Sequence, residues 1–91
     1  MGYTFEWDGR KAASNLKKHG VSFNEATTVF GDTLSLLMGD PMHSVEEQRF
    51  IVIGLSVKQR QLVVSFAERP PHTRIISARL ATRHERSQYE E

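Results

Sequence analysis

The chain has 91 residues and no cysteine, and its 12 Lys or Arg residues against 11 Asp or Glu residues give a formal net charge of +1. This length predicts one domain over residues 1–91, and the missing thiols exclude disulfides, cysteine nucleophiles and thiolate metal sites. No apolar run approaches the roughly 18 residues of a membrane span, and Glu6 and Asp8 stand where a secretory signal needs apolar residues. We therefore expect a cytoplasmic protein that makes no membrane contact.

Charge is arranged in blocks along the chain. Residues 19–48 hold five acids and no Lys or Arg, whereas residues 49–86 hold eight Lys or Arg residues and only two acids. Blocks of this length predict one acidic and one basic surface, and so two partners of opposite charge. A mixed, solvated exterior is the simpler alternative. The concentrated basic surface favours a polyanion, above all nucleic acid.

The first part of the chain predicts a strand and then a helix. Apolar and polar residues alternate over residues 3–7, which is typical of a strand. Asp8 suits the N-cap of a helix that runs to about His19, with Ala12 and Leu16 on its apolar face. Gly20 suits the left-handed position just past a helix end.

A second helix is predicted to begin at Ser22, because Ser22 and Glu25 have the spacing of a capping box. Gly31 and Asp32 end it. The positions that we expect to be buried are its apolar residues at helical spacing, namely Phe23, Ala26, Val29 and Phe30.

The remaining chain predicts four strands and a final helix. The strands are expected over residues 34–38, 48–56, 61–68 and 74–80. Thr82 and Glu85 form another capping box, for a helix that continues through Tyr89. Short connections between strands imply antiparallel pairing, and the two N-terminal helices must cover one face of the sheet. The predicted fold class is therefore α+β, with a small antiparallel sheet covered on one face by two N-terminal helices and a short C-terminal helix.

Strand alternation predicts where two arginines point. Residues two apart in a strand share a face. The expected helix-facing residues are Leu62, Val64 and Phe66 on one strand and Ile76, Ala78 and Leu80 on the last strand. Arg69 and Arg79 then lie on the opposite, more polar face, together with Ile75 and Ser77. The planar guanidinium group matches a phosphate, so this face is a candidate phosphate site; pairing with nearby carboxylates is the alternative.

The histidines and exposed aromatic residues give weaker signals. His19 could transfer protons, or it could cap the end of the first helix. His43 and Glu46 have no third residue at metal-ligand spacing, so we expect no metal. Trp7 is expected in the core, whereas Tyr89 is expected to be exposed and could stack on a base.

The sequence contains no glycine-rich phosphate loop, no GxSxG elbow and no HExxH helix. Any catalysis must then come from scattered polar and cationic groups. RNA cleavage can proceed with such groups, because the ribose 2′-OH is an internal nucleophile that needs only alignment and charge stabilisation.

Five segments are informative together: EWD at 6–8, KHGVSFNEA at 18–26, VFGD at 29–32, RFIVIG at 49–54 and RIISARLATRHERSQYEE at 74–91. In this order they resemble the BrnT family of toxins. The resemblance implies a RelE-like fold and a ribonuclease toxin of a type II toxin–antitoxin system, which cleaves RNA without a metal or cofactor and blocks translation. It also implies a BrnA-type antitoxin protein as partner. Operator DNA would be contacted only indirectly, through that antitoxin.

The resemblance and the basic segment together suggest roles for particular residues. The expected catalytic residues are Arg69, Arg79, Arg49 and His19. The residues expected to bind the RNA backbone are Lys58, Arg60, Arg74, Arg83 and Arg86. Leu80 departs from the family, which often has Lys or Arg there, and this puts the strength of RNA binding in question. The alternative function is a non-catalytic RNA- or ribosome-binding module.

Overall fold

The computed structural model describes residues 4–40 and 48–90. In these residues the elements, in chain order, are β1 (Phe5–Glu6), α1 (Gly9–His19), α2 (Phe23–Thr28), a 3₁₀ turn (Val29–Gly31), β2 (Leu36–Gly39), β3 (Arg49–Leu55), β4 (Gln61–Arg69), β5 (His72–Leu80) and α3 (Arg83–Glu90). The α+β class is confirmed. None of the helices in the described part is long and apolar enough to cross a membrane.

The sheet is mixed, so the prediction of an antiparallel sheet was wrong for one strand. The strand order is β1-β5-β4-β3-β2, and every pair is antiparallel except β1 and β5. β1 lies parallel to β5, with Phe5 opposite Thr73 and Glu6 opposite Arg74. A parallel pair needs a long connection, and here most of the chain lies between the two strands.

One face of the sheet carries the main core, and we call it the helical face. Buried residues of β3, β4 and β5 pack there with Val21, with α2 and with the 3₁₀ turn. The buried members of this cluster are Val21, Phe23, Ala26, Val29, Val52, Leu62, Val64, Phe66, Ile75 and Ala78. Trp7 packs edge-on against Phe23, with ring centroids 5.9 Å apart, as expected for a core residue. Phe30 contacts Phe66 in the same way at 4.9 Å.

The apolar stripe predicted for α1 was partly wrong. Ala12 packs against the core, but Leu16 is 51% exposed. The buried residue of α1 is Asn15, whose Nδ2 donates to the carbonyl oxygens of Val21 at 3.0 Å and Ala78 at 2.8 Å. Its Oδ1 accepts from the Ala78 N–H at 3.2 Å. In the described residues β1 pairs with β5 only at Thr73 and Arg74. The Asn15 amide therefore supplies the pairing that a longer β1 would give Ala78.

The caps confirm the predicted start and end of α1 and the predicted start of α2, but α2 ends at Thr28 and a 3₁₀ turn leads to the predicted end at Gly31. The Asp8 carboxylate accepts from the Arg10 N–H at 2.7 Å, and this bond lowers the pKa of Asp8. Gly20 ends α1 at φ 70°, in the left-handed region that glycine tolerates best. Ser22 Oγ accepts from the Glu25 N–H at 3.0 Å. Only half of that capping box forms, because the Glu25 carboxylate turns inward instead.

Candidate RNA-binding face

A β-bulge in β5 decides which residues share the face opposite the helical face. Ser65 lies opposite Ser77, but the next residue, Phe66, lies opposite Ile75. β5 therefore holds one extra residue at this point, Ile76. Ile75 therefore packs into the core on the helical face. The prediction that Ile76 faces the helices was wrong. Strict alternation fails because a bulge shifts the pattern by one residue.

The bulge places Arg74 on the same face as Arg79. Cross-strand partners share a face. Ala67 of β4, which is fully buried, lies between Arg49 of β3 and Arg74 of β5. We call this side of the sheet the arginine face. Its cross-strand rows are Arg49–Ala67–Arg74, then Ile51–Ser65–Ser77, then Ile53–Val63–Arg79.

Arg69 and His72 extend the arginine face toward the β4–β5 turn, where they lie opposite each other. His72 Nδ1 is 3.9 Å from Glu6 Oε1, and Arg74 NH1 donates to Glu6 Oε2 at 3.3 Å. The predicted last strand began at Arg74, whereas β5 begins at His72. The position of His72 in a strand beside two arginines was missed, because the two prolines before it hide the start of β5.

Arg79 is held by a carboxylate of α3. Its NH1 and NH2 donate to Glu85 Oε1 and Oε2, each at 2.8 Å. The Arg79 hydrogen bonds, with a smaller contribution from the Thr82 N–H, lower the pKa of Glu85 to about 2. The same pairing raises the pKa of Arg79. The carboxylate-pairing alternative therefore holds for Arg79, whose side chain nevertheless stays 41% exposed.

α3 covers the apolar end of the arginine face. It begins with the predicted capping box, in which the Thr82 N–H donates to Glu85 Oε1 at 2.8 Å and the Glu85 N–H donates to Thr82 Oγ1 at 3.2 Å. Tyr89 near its other end packs against the cluster of Ile53, Val63 and Ala81. The Tyr89 hydroxyl donates to Asp32 Oδ2 at 2.6 Å. The expectation that Tyr89 is exposed was therefore wrong.

Asp32 joins that contact to the rest of the sheet. Its Oδ2 also accepts from the Leu55 N–H at 2.8 Å, and its Oδ1 accepts from the Leu34 N–H at 3.0 Å. The Asp32 carboxylate thus connects α3, β3 and the turn that precedes β2.

Arg60, expected to bind RNA, is part of a structural ion pair. Its Nε donates to Glu25 Oε2 at 2.9 Å, and its NH2 donates to Glu25 Oε1 and to the Gly20 carbonyl oxygen. The Glu25 side chain is only 1% exposed and also accepts from Ser56 Oγ at 2.7 Å. The Arg60 hydrogen bonds, followed by that of Ser56, outweigh burial and lower the pKa of Glu25.

The other predicted cations lie on exposed segments. Lys58 is in the turn between β3 and β4, and Arg83 and Arg86 are exposed on α3. Arg86 NH1 also donates to the Ala81 carbonyl oxygen at 3.3 Å.

His19 is not brought to the arginines. It lies in the last turn of α1 with Lys17 and Lys18, where positive charge favours the helix dipole. α1 packs against the helical face through Ala12, whereas Arg79 lies opposite Val63 on the other face. His43 and Glu46 fall outside the described residues. Within the described residues, no three His, Asp or Glu side chains are grouped so that they could hold a metal ion.

A small α+β domain with arginines gathered on one sheet face is suited to binding phosphate groups. The family model described as the ribonuclease toxin BrnT of type II toxin–antitoxin systems matches residues 7–85. The match spans most of the 91-residue chain, and the chain belongs to this family. It includes every arginine of the arginine face. Among curated proteins, no match to the chain is found.

Proposed function

We propose that this chain is an endoribonuclease toxin that cleaves RNA without a metal ion, blocks translation, and is neutralised by a BrnA-type antitoxin. The observation that supports the cleavage site is the row Arg49–Ala67–Arg74, with Arg69 next to it and Arg79 two rows away. This row places two guanidinium groups on the same face of the sheet, on either side of one small residue. Arginine binds phosphate through paired N–H donors at fixed geometry.

The arginine face would act by positioning and charge stabilisation. The ribose 2′-oxygen attacks the adjacent phosphorus, the bond to the 5′-oxygen breaks, and the products carry a 2′,3′-cyclic phosphate and a 5′-OH. The 2′-OH proton passes to a base, and the leaving 5′-oxygen receives a proton. Arginine donors stabilise the extra negative charge that develops on the phosphate oxygens.

Within this proposal Arg49 and Arg74 bind the scissile phosphate, and Arg69 and Arg79, on the two sides of that row, hold the adjoining RNA backbone. Arg79 can do so only when phosphate replaces Glu85 as its partner. His72 lies on this face opposite Arg69, and it takes the proton-transfer role that was expected of His19. Lys58, Arg83 and Arg86 extend the basic surface along the RNA, whereas Arg60 is already bound to Glu25.

The test is the chemistry of the RNA ends. The purified protein is incubated with a 5′-labelled RNA in the presence of EDTA. We expect fragments with 2′,3′-cyclic phosphate and 5′-OH ends, and we expect growth arrest when the protein is induced without its antitoxin. New 5′-phosphate ends, or cleavage abolished by EDTA and restored by Mg²⁺, would contradict the proposed route.

The second candidate function is a non-catalytic RNA- or ribosome-binding module. The Arg79–Glu85 pair favours it, because that pair occupies the guanidinium that the cleavage site needs. Retarded RNA mobility and growth arrest without any new RNA ends would select this function over cleavage.

A further inference from the structure

The apolar edge of the sheet at β2 is a surface that RNA cleavage does not use. β2 is the last strand on its side of the sheet in the described residues. Leu34 is 71% exposed, Leu37 is 65% exposed and Met38 is 39% exposed. Large apolar side chains at the end of a sheet are typical of a surface that a partner covers.

The backbone at this edge is arranged to accept another strand. The Asp40 N–H donates to the Arg49 carbonyl oxygen at 3.0 Å, which makes Asp40 and Arg49 a hydrogen-bonded pair. Such pairs alternate along an antiparallel ladder. Leu37 and Gly39 therefore direct their N–H and C=O groups away from β3. An added strand binds through outward groups of this kind, and pockets for its alternate side chains give specificity.

One such pocket lies beside Leu37. Phe30, Val52 and Phe66 form its apolar wall together with Leu37, and Ser35 and Glu68 complete its rim, around a volume of about 100 Å³. That volume is of the size of one aliphatic side chain. The pocket opens on the helical face, so RNA bound to the arginine face leaves it free.

The charge around β2 selects the kind of strand that can bind. Residues 19–48 contain no Lys or Arg, and Asp32 and Asp40 flank β2 on its two sides. Glu68 adds a carboxylate at the pocket. RNA would be repelled by these carboxylates. A second copy paired β2 to β2 would bring the same acids together, and like charges facing each other are destabilising.

We propose that β2 is the docking site for an extended segment of the antitoxin, one that alternates apolar and basic residues. This proposal rests on the proposed function only in taking the partner to be a toxin-neutralising protein. An apolar residue of the segment fills the pocket beside Leu37, and its Lys or Arg residues face Asp40 and Glu68. The toxin then presents an acidic, apolar edge to the antitoxin and a basic face to RNA.

The test uses the absence of cysteine from the chain. Leu37→Cys and Val57→Cys each introduce one thiol at a well-exposed position, and Val57, 71% exposed beyond the end of β3, serves as the matched control. Each variant is labelled with a maleimide, alone and after co-purification with the antitoxin encoded by the adjacent gene. We expect the complex to slow labelling at residue 37 by about tenfold or more, because a buried interface excludes the reagent, and to leave residue 57 unchanged.

Hydrogen exchange on the unmodified chain gives a second readout, with slower exchange expected at the Leu37 and Gly39 amides in the complex. Equal labelling of both thiols in a complex that is formed would overturn the proposal, as would failure to form any complex. Protection of residue 37 in the toxin alone, with a doubled mass in solution, would show self-pairing instead. RNA cleavage by the free toxin is measured separately, so a failure of the ribonuclease proposal leaves this result interpretable.

Discussion

The Arg60–Glu25 pair and the Arg79–Glu85 pair join the same two residue types at different depths. Glu25 is 1% exposed and Glu85 is 22% exposed, and their arginines are 33% and 41% exposed. Arg60 also bonds a helix-end carbonyl at Gly20, and Glu25 also bonds Ser56, so the first pair ties α1, α2 and the β3–β4 hairpin together. The second pair joins one strand to α3.

This difference in depth separates a pair that must stay formed from a pair whose arginine can exchange its partner. A carboxylate as buried as Glu25 cannot be left without its cation, because water does not reach it. Glu85 keeps contact with water, so Arg79 can change partner from carboxylate to phosphate at small cost in stability. The sequence assigns both arginines to RNA, and only the depth of the partner tells them apart.

The largest effect is expected at Arg60. Replacing Arg60 with Ala leaves the Glu25 charge buried and should lower the free energy of unfolding by about 3 kcal/mol. Urea denaturation of the wild type and of the Arg60→Ala protein measures this change. Lys58→Ala, which removes an exposed cation two residues away, should change it by about 0.5 kcal/mol or less. If Arg60→Ala lowers the free energy of unfolding as little as Lys58→Ala does, the buried Arg60–Glu25 pair is no more important for stability than an exposed cation.

The next effect is on activity at Arg79. Arg79→Ala should lower the RNA cleavage rate by about a hundredfold, because the RNA backbone loses an anchor that aligns it with the cleavage site. Its free energy of unfolding should fall by only about 1 kcal/mol. Arg79→Lys should recover little activity, since a lysine lacks the planar fork.

Arg83→Ala, on the exposed side of α3, is the matched control for Arg79 and should keep most of the cleavage rate. If the Arg79→Ala protein cleaves RNA as fast as the wild type, the arginine face acts without this residue.

The smallest effect concerns pH and Glu85. The pKa of Glu85 is lowered from 4.5 to about 2 in the folded protein. Its pair with Arg79 therefore stabilises the fold above about pH 4.5, and this contribution is lost as the pH falls toward 2. A pKa shift of this size corresponds to about 3 kcal/mol of stability, but solvent screening of the exposed Arg79 reduces the contribution of the pair to about 1 kcal/mol.

Glu85→Gln removes that contribution, so thermal melts between pH 2 and 7 should show its stability falling less than that of the wild type on acidification. Parallel stability curves for the two proteins would show that the pair contributes nothing to folding.

Much of the fold follows from local sequence signals. The Asp8 and Ser22 caps, the Gly20 stop and the Thr82–Glu85 box are short-range signals, and each is confirmed by its own hydrogen bonds or dihedral angles. The errors arise where distant segments meet. Asn15 is buried because an edge of β5 needs a hydrogen-bonding partner, and β1 can lie parallel to β5 because a long connection separates them.

The sequence predicted that the candidate site consists of arginines and that they lie on the sheet face opposite the helices. Alternation alone identified Arg79 as facing away from the helices, but the bulge at Ile76 moved Ile75 to the core and brought Arg74 to the arginine face. The partners of Arg60 and Arg79 could not be predicted, since each pair joins elements whose contact depends on packing. His72 was missed because proline residues hide the beginning of a strand.

Asp32 contacts structural elements at both proposed binding surfaces. It accepts hydrogen bonds from Leu34 before the edge strand and from Tyr89 of the helix over the arginine face. If binding at one surface changes the contacts of Asp32, the two ligands are thermodynamically linked, and the coupling free energy acts equally in both directions. Antitoxin held along β2 would then weaken RNA binding from a distance, without covering the arginine face. Asp32→Asn, which keeps the size of the side chain but loses its charge, should reduce this mutual effect, and an unchanged ratio of RNA affinities would show that the two surfaces are independent.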